Sequence, residues 1–238
     1  MHGTALTPHP TRASSEAAFF RLEGALSPRH AWEGALFLAA NAQSLRHRAL
    51  GLAGAALGGL VSRGPLRDPA AGARASWSML RGFSRDRVEV LGADFAEEHL
   101  RPLLRDPALR LVDEARRRAQ RVVLISESID AIARPLGRSI GVDDVLCNVL
   151  EVDDDDRATG RLIAPSIGPE IDPRRLRAWA NEHGVSLDRS AAYGSARGDQ
   201  VLLAQVGLPC ALAPDRELSR VARELDWPIV EDREGASR

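Results

Sequence analysis

Arg21, Glu23 and Ala25 follow the apolar run Ala17-Ala18-Phe19-Phe20 and are interleaved with Leu22, Gly24 and Leu26. The chemistry open to this set is narrow. A guanidinium stays protonated and offers only donors, so Arg21 can hold an anion but cannot attack one. Glu23 can give or take a proton. Further along, Ser126 ends the run Arg121-Val122-Val123-Leu124-Ile125, and Ser195 and Asp199 follow Ala192-Tyr193-Gly194. No His or Cys stands in these segments to activate a hydroxyl, so the candidate nucleophiles, Ser126, Ser128, Ser195 and Glu23, lack a base partner. The residues suit anion binding better: Arg21, with Ser126 and loop amides, could hold a phosphate or carboxylate without cleaving it.

Strands must carry these residues to a common place. Ala17–Phe20 reads as a buried strand running into a Gly-containing turn. Arg121–Ser126, rich in β-branched residues, reads as a strand buried on both faces. Ser190–Gly194, Pro209–Ala213 and Pro228–Val230 are further short strands. Helices are expected at 107–120, 174–182, 200–206 and 216–225, the second with Asp172 as N-cap, Pro173 in the first turn and Gly184 past the end. The segments 145–152 and 160–164 flank Asp153-Asp154-Asp155-Asp156 and suggest a hairpin with a solvated acidic turn; a calcium loop is the sharper alternative, but the EF-hand spacing is missing. Residues 29–104 look helical throughout, with apolar positions at Leu36, Ala39, Ala40, Leu45, Leu52, Leu57 and Leu60 and small residues over 51–59. The alternation after residue 105 is that of a parallel sheet covered by helices, an α/β fold. The expected domains are a flexible tail over 1–15, a core from 16–28 and 105–232, a helical insertion over 29–104 and a short tail over 233–238.

Composition excludes several classes. A net charge of −1 over 238 residues gives no electrostatic case for nucleic acid or an acidic membrane, and there is no basic stripe or aromatic platform. Every one of the 32 basic side chains is arginine, which suggests a GC-rich bacterial genome. Cys147 and Cys210 lie in apolar runs and are expected as buried free thiols. Residues 1–15 hold no apolar core of a secretion signal, and the longest weakly polar stretch, 49–61, is too short to span a bilayer. A cytoplasmic protein without a transmembrane segment is expected.

Four landmarks in order resemble the haloacid dehalogenase (HAD) superfamily of phosphatases: Phe20–Leu26, where the family has Asp-x-Asp-Gly-Thr; Val122–Ser128, a strand ending in serine; Gly168–Leu176; and Ala192-Tyr193-Gly194-Ser195-Ala196-Arg197-Gly198-Asp199, where the family has Tyr-Gly-Asp-Ser-x-x-Asp. The resemblance is closest to the phosphoserine-phosphatase-like (HAD-IB) subgroup. It implies a Rossmannoid doubly wound parallel sheet with a helical cap inserted after the first strand, where 29–104 lie.

The same resemblance shows what is missing. Arg21 stands where the family's nucleophilic and magnesium-binding aspartate would be, and Glu23 where the acid/base aspartate would be. Ala25 replaces the threonine, Asp172 falls where a lysine neutralises phosphate, and Ser195 replaces a metal-holding aspartate. Ser126 and Asp199 are retained. Magnesium prefers anionic oxygens, so no metal and no other cofactor is expected; magnesium would enter only in an active enzyme. The expectation is a pseudophosphatase acting by binding, as adaptor, regulatory subunit or ligand sensor, with a protein partner or a small anionic ligand. The alternative is a phosphatase of small phosphomonoesters such as phosphoserine that uses non-standard residues. Arg21 is expected to pair with Asp199, Glu23 or both, because a buried guanidinium must be paired.

Overall fold

The computed structural model describes residues 15–41, 76–164 and 166–232. Six strands form one parallel sheet in the order β3-β2-β1-β6-β7-β8: β1 Ala17–Arg21, β2 Arg121–Ile129, β3 Asp144–Asn148, β6 Ala191–Gly194, β7 Leu208–Leu212 and β8 Ile229–Val230. The first strand is central. The chain builds outward from it to β3, then returns to its other side with β6. That reversal leaves a crevice at the carboxyl ends of β1 and β6, where open α/β sheets bind ligands.

β1 is buried along its whole length, and its alternate residues feed two cores. Ala17 and Phe19 pack with Leu176, Trp179, Leu202 and Leu218 on one face. Ala18 and Phe20 pack with Val112, Leu124, Ile132 and Leu136 on the other. Phe19 meets Trp179 edge to face at 5.5 Å, and Phe20 stacks on Tyr193 at 4.4 Å. Fully burying a side chain of this size contributes roughly 1.5–3 kcal/mol, so β1 is anchored from both sides before any polar contact is made.

Helices α3 Asp106–Arg117, α4 Asp130–Ile140, α5 Pro173–His183, α6 Gln200–Leu203 and α7 Arg216–Glu224 flank the sheet. Asp172 caps α5, accepting from the Arg174 amide at 2.8 Å, and Gly184 ends it in the left-handed region at φ 63°. Helices α1 Ala31–Ala40 and α2 Arg85–Asp94 lie between β1 and β2 in sequence, and α2 runs on into a π-helical turn, Phe95–Leu100. Among the described residues of 29–104 there is no strand, apart from a single bridge between Ser84 and Arg157.

Several expectations need correction. Residues 145–152 are not one strand of a hairpin. β3 joins the main sheet, and the short β4 Leu150–Val152 alone pairs antiparallel with β5 Ala158–Leu162 around the exposed turn at Asp153–Asp156. The buried face of α1 is Gly34, Ala35, Leu38 and Ala39; Leu36 is half-buried and Ala40 exposed. The helix expected over 200–206 is one short turn, Gln200–Leu203. Cys147 and Cys210 are buried free thiols, and burial pushes them up to about 12 and about 11 respectively, which keeps both protonated. Of the N-terminal tail expected over 1–15 only Ser15 is described, and it bridges to Val185; the rest of that tail, the C-terminal tail, and Leu45, Leu52, Leu57, Leu60 and the small-residue stretch lie outside the described residues.

Candidate functional site

The carboxyl ends of β1, β2 and β6 converge on Arg21. Parallel pairing continues one residue past β1, with the Leu22 amide donating to the Ile125 carbonyl, and the chain then closes a tight turn. The Leu26 and Ser27 amides bond back to the Arg21 and Leu22 carbonyls. Gly24 permits this turn. Its φ is +86°, and a Cβ there would lie 2.0 Å from Ser195 Oγ. Arg105 fastens the turn from outside, donating Nε–H to the Gly24 carbonyl and pairing with Asp232.

Arg21 is 2% exposed. Its Nε lies 2.9 Å from Asp199 Oδ1, an ion-pair contact not aligned as a hydrogen bond. Its Nη2 donates to Glu127 Oε1 at 2.8 Å and, more weakly, to the Gly168 carbonyl at 3.4 Å. Nη1 is buried with no hydrogen-bond partner among the described residues. Burial works to lower the Arg21 pKa, but Asp199, Glu23 and Glu127 outweigh it, and the net shift is upward.

The expected pairing of Arg21 with Asp199, Glu23 or both is therefore met through Asp199. The side chain of Glu23 turns away along β2. Its Oε1 accepts from Ser126 Oγ at 2.7 Å, the Glu127 amide at 3.1 Å and the Ser128 amide at 3.3 Å, and Oε2 shares the Glu127 amide at 3.1 Å. A carboxylate facing three donors is already satisfied, so the second contact of the guanidinium falls to Glu127.

Asp199 is 2% exposed and is not a simple cap of α6. Its Oδ2 accepts from the Ser195 and Ala196 amides at 2.8 and 3.0 Å, which fixes the loop after β6, while Oδ1 faces Arg21. Ser195 is buried beside Gly24, and Ala25 is wholly buried apolar packing. Asp172 is not part of the cluster; it caps α5. Arg174 is exposed, whereas the half-buried Arg175 turns inward and donates to the Cys147 carbonyl at 3.3 Å.

Two residues in the site had no assigned role in the sequence. Glu127 is the second carboxylate of Arg21. Burial first, and then the charge of Glu23, push its carboxyl up to about 7, against the opposing pull of Arg21. Asn148, 1% exposed, donates to the Glu127 and Ile167 carbonyls at 2.6 and 2.9 Å and accepts from the Ile167 amide at 2.6 Å. It locks the Gly168 loop to the end of β2. The signal available was a polar side chain ending a strand beside the acidic residue of Ser126-Glu127-Ser128.

A magnesium site of the family's kind does not fit these residues. The guanidinium of Arg21 lies between Asp199 and Glu127, where it takes up the carboxylate oxygens a divalent ion would need, and Ser195 offers a neutral oxygen in place of a carboxylate. At an effective dielectric near 20 a cation held about 4 Å from a divalent ion would oppose it by several kcal/mol.

A doubly wound parallel sheet with a polar cluster at the crevice beside its central strand defines a Rossmann-like α/β protein. The chain belongs to the family of haloacid dehalogenase-like hydrolases, whose profile matches residues 18–204. It is 30% identical over 154 residues to the "Inhibition of morphological differentiation protein" of Streptomyces azureus, covering 65% of this chain and 55% of that one. It is 29% identical over 170 residues to a phosphoserine phosphatase of Mycobacterium tuberculosis, covering 71% and 55%. The chain thus spans little more than half the length of these two relatives. A solved protein of unknown function from Bordetella pertussis matches the fold with a TM-score of 0.81 at 21% identity, over 92% of this chain and 99% of that one. The phosphoserine-phosphatase-like subgroup indicated by the motif order agrees with these relationships.

Proposed function

We propose that this protein is a pseudophosphatase: a HAD-family chain that acts by binding, in the cytoplasm, as an adaptor, regulatory subunit or ligand sensor. The observation that carries this reading is the state of Arg21. At the position where the resemblance calls for a nucleophile, a buried guanidinium is held between two carboxylates. It has no lone pair to attack phosphorus, and it takes up the Asp199 and Glu127 oxygens that a metal would need. The hydroxyls of Ser126, Ser128 and Ser195 are all buried, and none has a His or Cys partner in the site. Phosphoryl transfer depends on positioning and charge neutralisation, and three carboxylates around one buried cation offer a phosphate ester the wrong charge. The Streptomyces relative carries a name that describes an effect on differentiation rather than a reaction. The described helices α1 and α2 and the mouth of the crevice are the surfaces proposed for a partner.

The second reading is a HAD phosphatase of a small phosphomonoester. It is favoured by the phosphatase name of the mycobacterial relative and by the 2.7 Å contact between Ser126 and Glu23, the one hydroxyl–carboxylate pair in the site. Purified protein assayed with phosphoserine and an aryl phosphate, with and without magnesium, separates the two. Background rates are expected, and Arg21→Asp alone is expected to stay at background because Ser195 still lacks a carboxylate. Turnover that disappears in Ser126→Ala would overturn the pseudophosphatase reading.

A further inference from the structure

Ser126 Oγ and the amides of Glu127 and Ser128 converge on one carboxylate at the end of β2. A side-chain hydroxyl and successive backbone N–H groups make an anion-binding concavity. Its occupant is Glu23, which belongs to another strand end 103 residues away in sequence from Ser126. Nothing in the sheet requires this. Glu23 follows a buried strand and could have pointed to solvent or to Arg21, yet the residue is 9% exposed and both oxygens are turned onto β2. The cradle is itself rigid. Ser126 Oγ also accepts from the Ser128 amide at 3.0 Å, and Asn148 holds the Glu127 carbonyl, so the donors stay aligned without help from Glu23.

We propose that this cradle is a carboxylate site occupied by the chain's own Glu23, an internal ligand that keeps the site shut until it withdraws. The inference rests on the binding reading and adds its regulation: an external carboxylate competes with Glu23 for the same three donors. Because Glu23 is tethered, its effective concentration is high, and a free carboxylate in solution does not displace it from the wild-type protein. Withdrawal of the turn over 22–27 is what would admit one.

Removal of the tethered carboxylate tests this. In Glu23→Ala the Ser126 hydroxyl and the Glu127 amide lose their acceptor and the Ser128 amide keeps only Ser126 Oγ, so the melting temperature is expected to fall. Formate, the smallest carboxylate, is expected to restore most of the loss in a saturable way, while chloride at equal ionic strength does not. Wild type is expected to show no saturable response, and Glu23→Ala combined with Ser126→Ala is expected to lose the rescue. A folded Glu23→Ala protein that ignores formate, or wild type that responds equally, would overturn the proposal. Should Glu23→Ala not fold, Glu23→Gln keeps the shape and removes the charge. The amide proton resonances of Glu127 and Ser128 are then expected to move strongly upfield relative to wild type, and unchanged resonances would refute the assignment. Phosphatase turnover would leave these outcomes intact, and failure of rescue would leave the pseudophosphatase reading intact, so the two fail separately.

Discussion

Replacing Arg21 by methionine keeps much of the side-chain volume and removes the charge. Asp199, whose side chain is 2% exposed, would be left with two backbone donors and no cation, and Glu127 with none. Breaking a buried ion pair from one side costs roughly 3–5 kcal/mol. Here the cost depends on pH in a definite direction. Glu127 already sits at about 7 with Arg21 pulling it down; without the guanidinium it goes higher. The folded variant therefore binds more protons between pH 6 and 8 than folded wild type does, and its stability falls more steeply as pH rises. The loss should be about 3–5 kcal/mol at pH 8 and about 1–2 kcal/mol smaller at pH 6, where Glu127 is protonated. With a urea slope near 2 kcal/mol/M, the pH 8 value lowers the unfolding midpoint by about 1.5–2.5 M. Tryptophan fluorescence follows the transition, since Trp179 packs against Phe19 of the same strand. Arg21→Lys, a single point charge that cannot bridge two carboxylates, should fall between. A midpoint at pH 8 within about 0.3 M of wild type, or a loss larger at pH 6 than at pH 8, would refute the account of Arg21 as the cation that holds the site together.

Glu127 also gives wild type a pH profile of its own. Its folded pKa is raised from the ordinary 4.5 to about 7, so its contribution is fully present below 4.5 and is lost as pH rises to about 7, by at most roughly 3 kcal/mol. Glu127→Gln should flatten that decline in chemical unfolding measured from pH 5 to 8, and an unchanged slope would exclude Glu127 as its source. Gly92→Ala should destabilise by about 1–3 kcal/mol, although alanine is the better helix former by about 1 kcal/mol, because its Cβ would come within 2.5 Å of the Ala131 carbonyl oxygen across the α2–α4 crossing. A melting temperature at or above wild type would show that the two helices separate easily there.

Much of the scaffold was legible because its signals are local and strong. The run Arg121–Ile125 could be nothing but a buried strand, and Asp172-Pro173 with Gly184 carried both ends of α5 in their side chains. The hairpin was misjudged where the signal was not local. Residues 145–152 read as one mostly apolar segment, but its first half finds a parallel partner in β2 and only its last three residues turn to β5, a division fixed by pairing with distant chain. The buried stripe of α1 was likewise set by what packs on it: Gly34 lies where a Cβ would strike Ile132, so the helix presents its smallest residue to α4 rather than its leucine spacing alone.

The site divides along the same line. The loss of a nucleophile at Arg21, and the need of that guanidinium for buried anions, follow from its chemistry in a strand that must be covered on both faces. Which carboxylates answer it does not. Glu23, two residues away, was the natural candidate, but adjacent strand ends offered it three converging donors at β2, and a carboxylate with three donors has no reason to turn back. That left a vacancy beside Arg21 which the first residue past Ser126 filled from the neighbouring strand. Glu23 and Arg21 thus make one arrangement: the carboxylate can afford to leave the guanidinium because Glu127 replaces it, and Glu127 can remain buried beside another acid because the guanidinium stands between it and Asp199. Glu127, the more exposed of the two carboxylates that touch Arg21, has its carboxyl raised to about 7 by burial and by the charge of Glu23, against the opposing pull of the guanidinium.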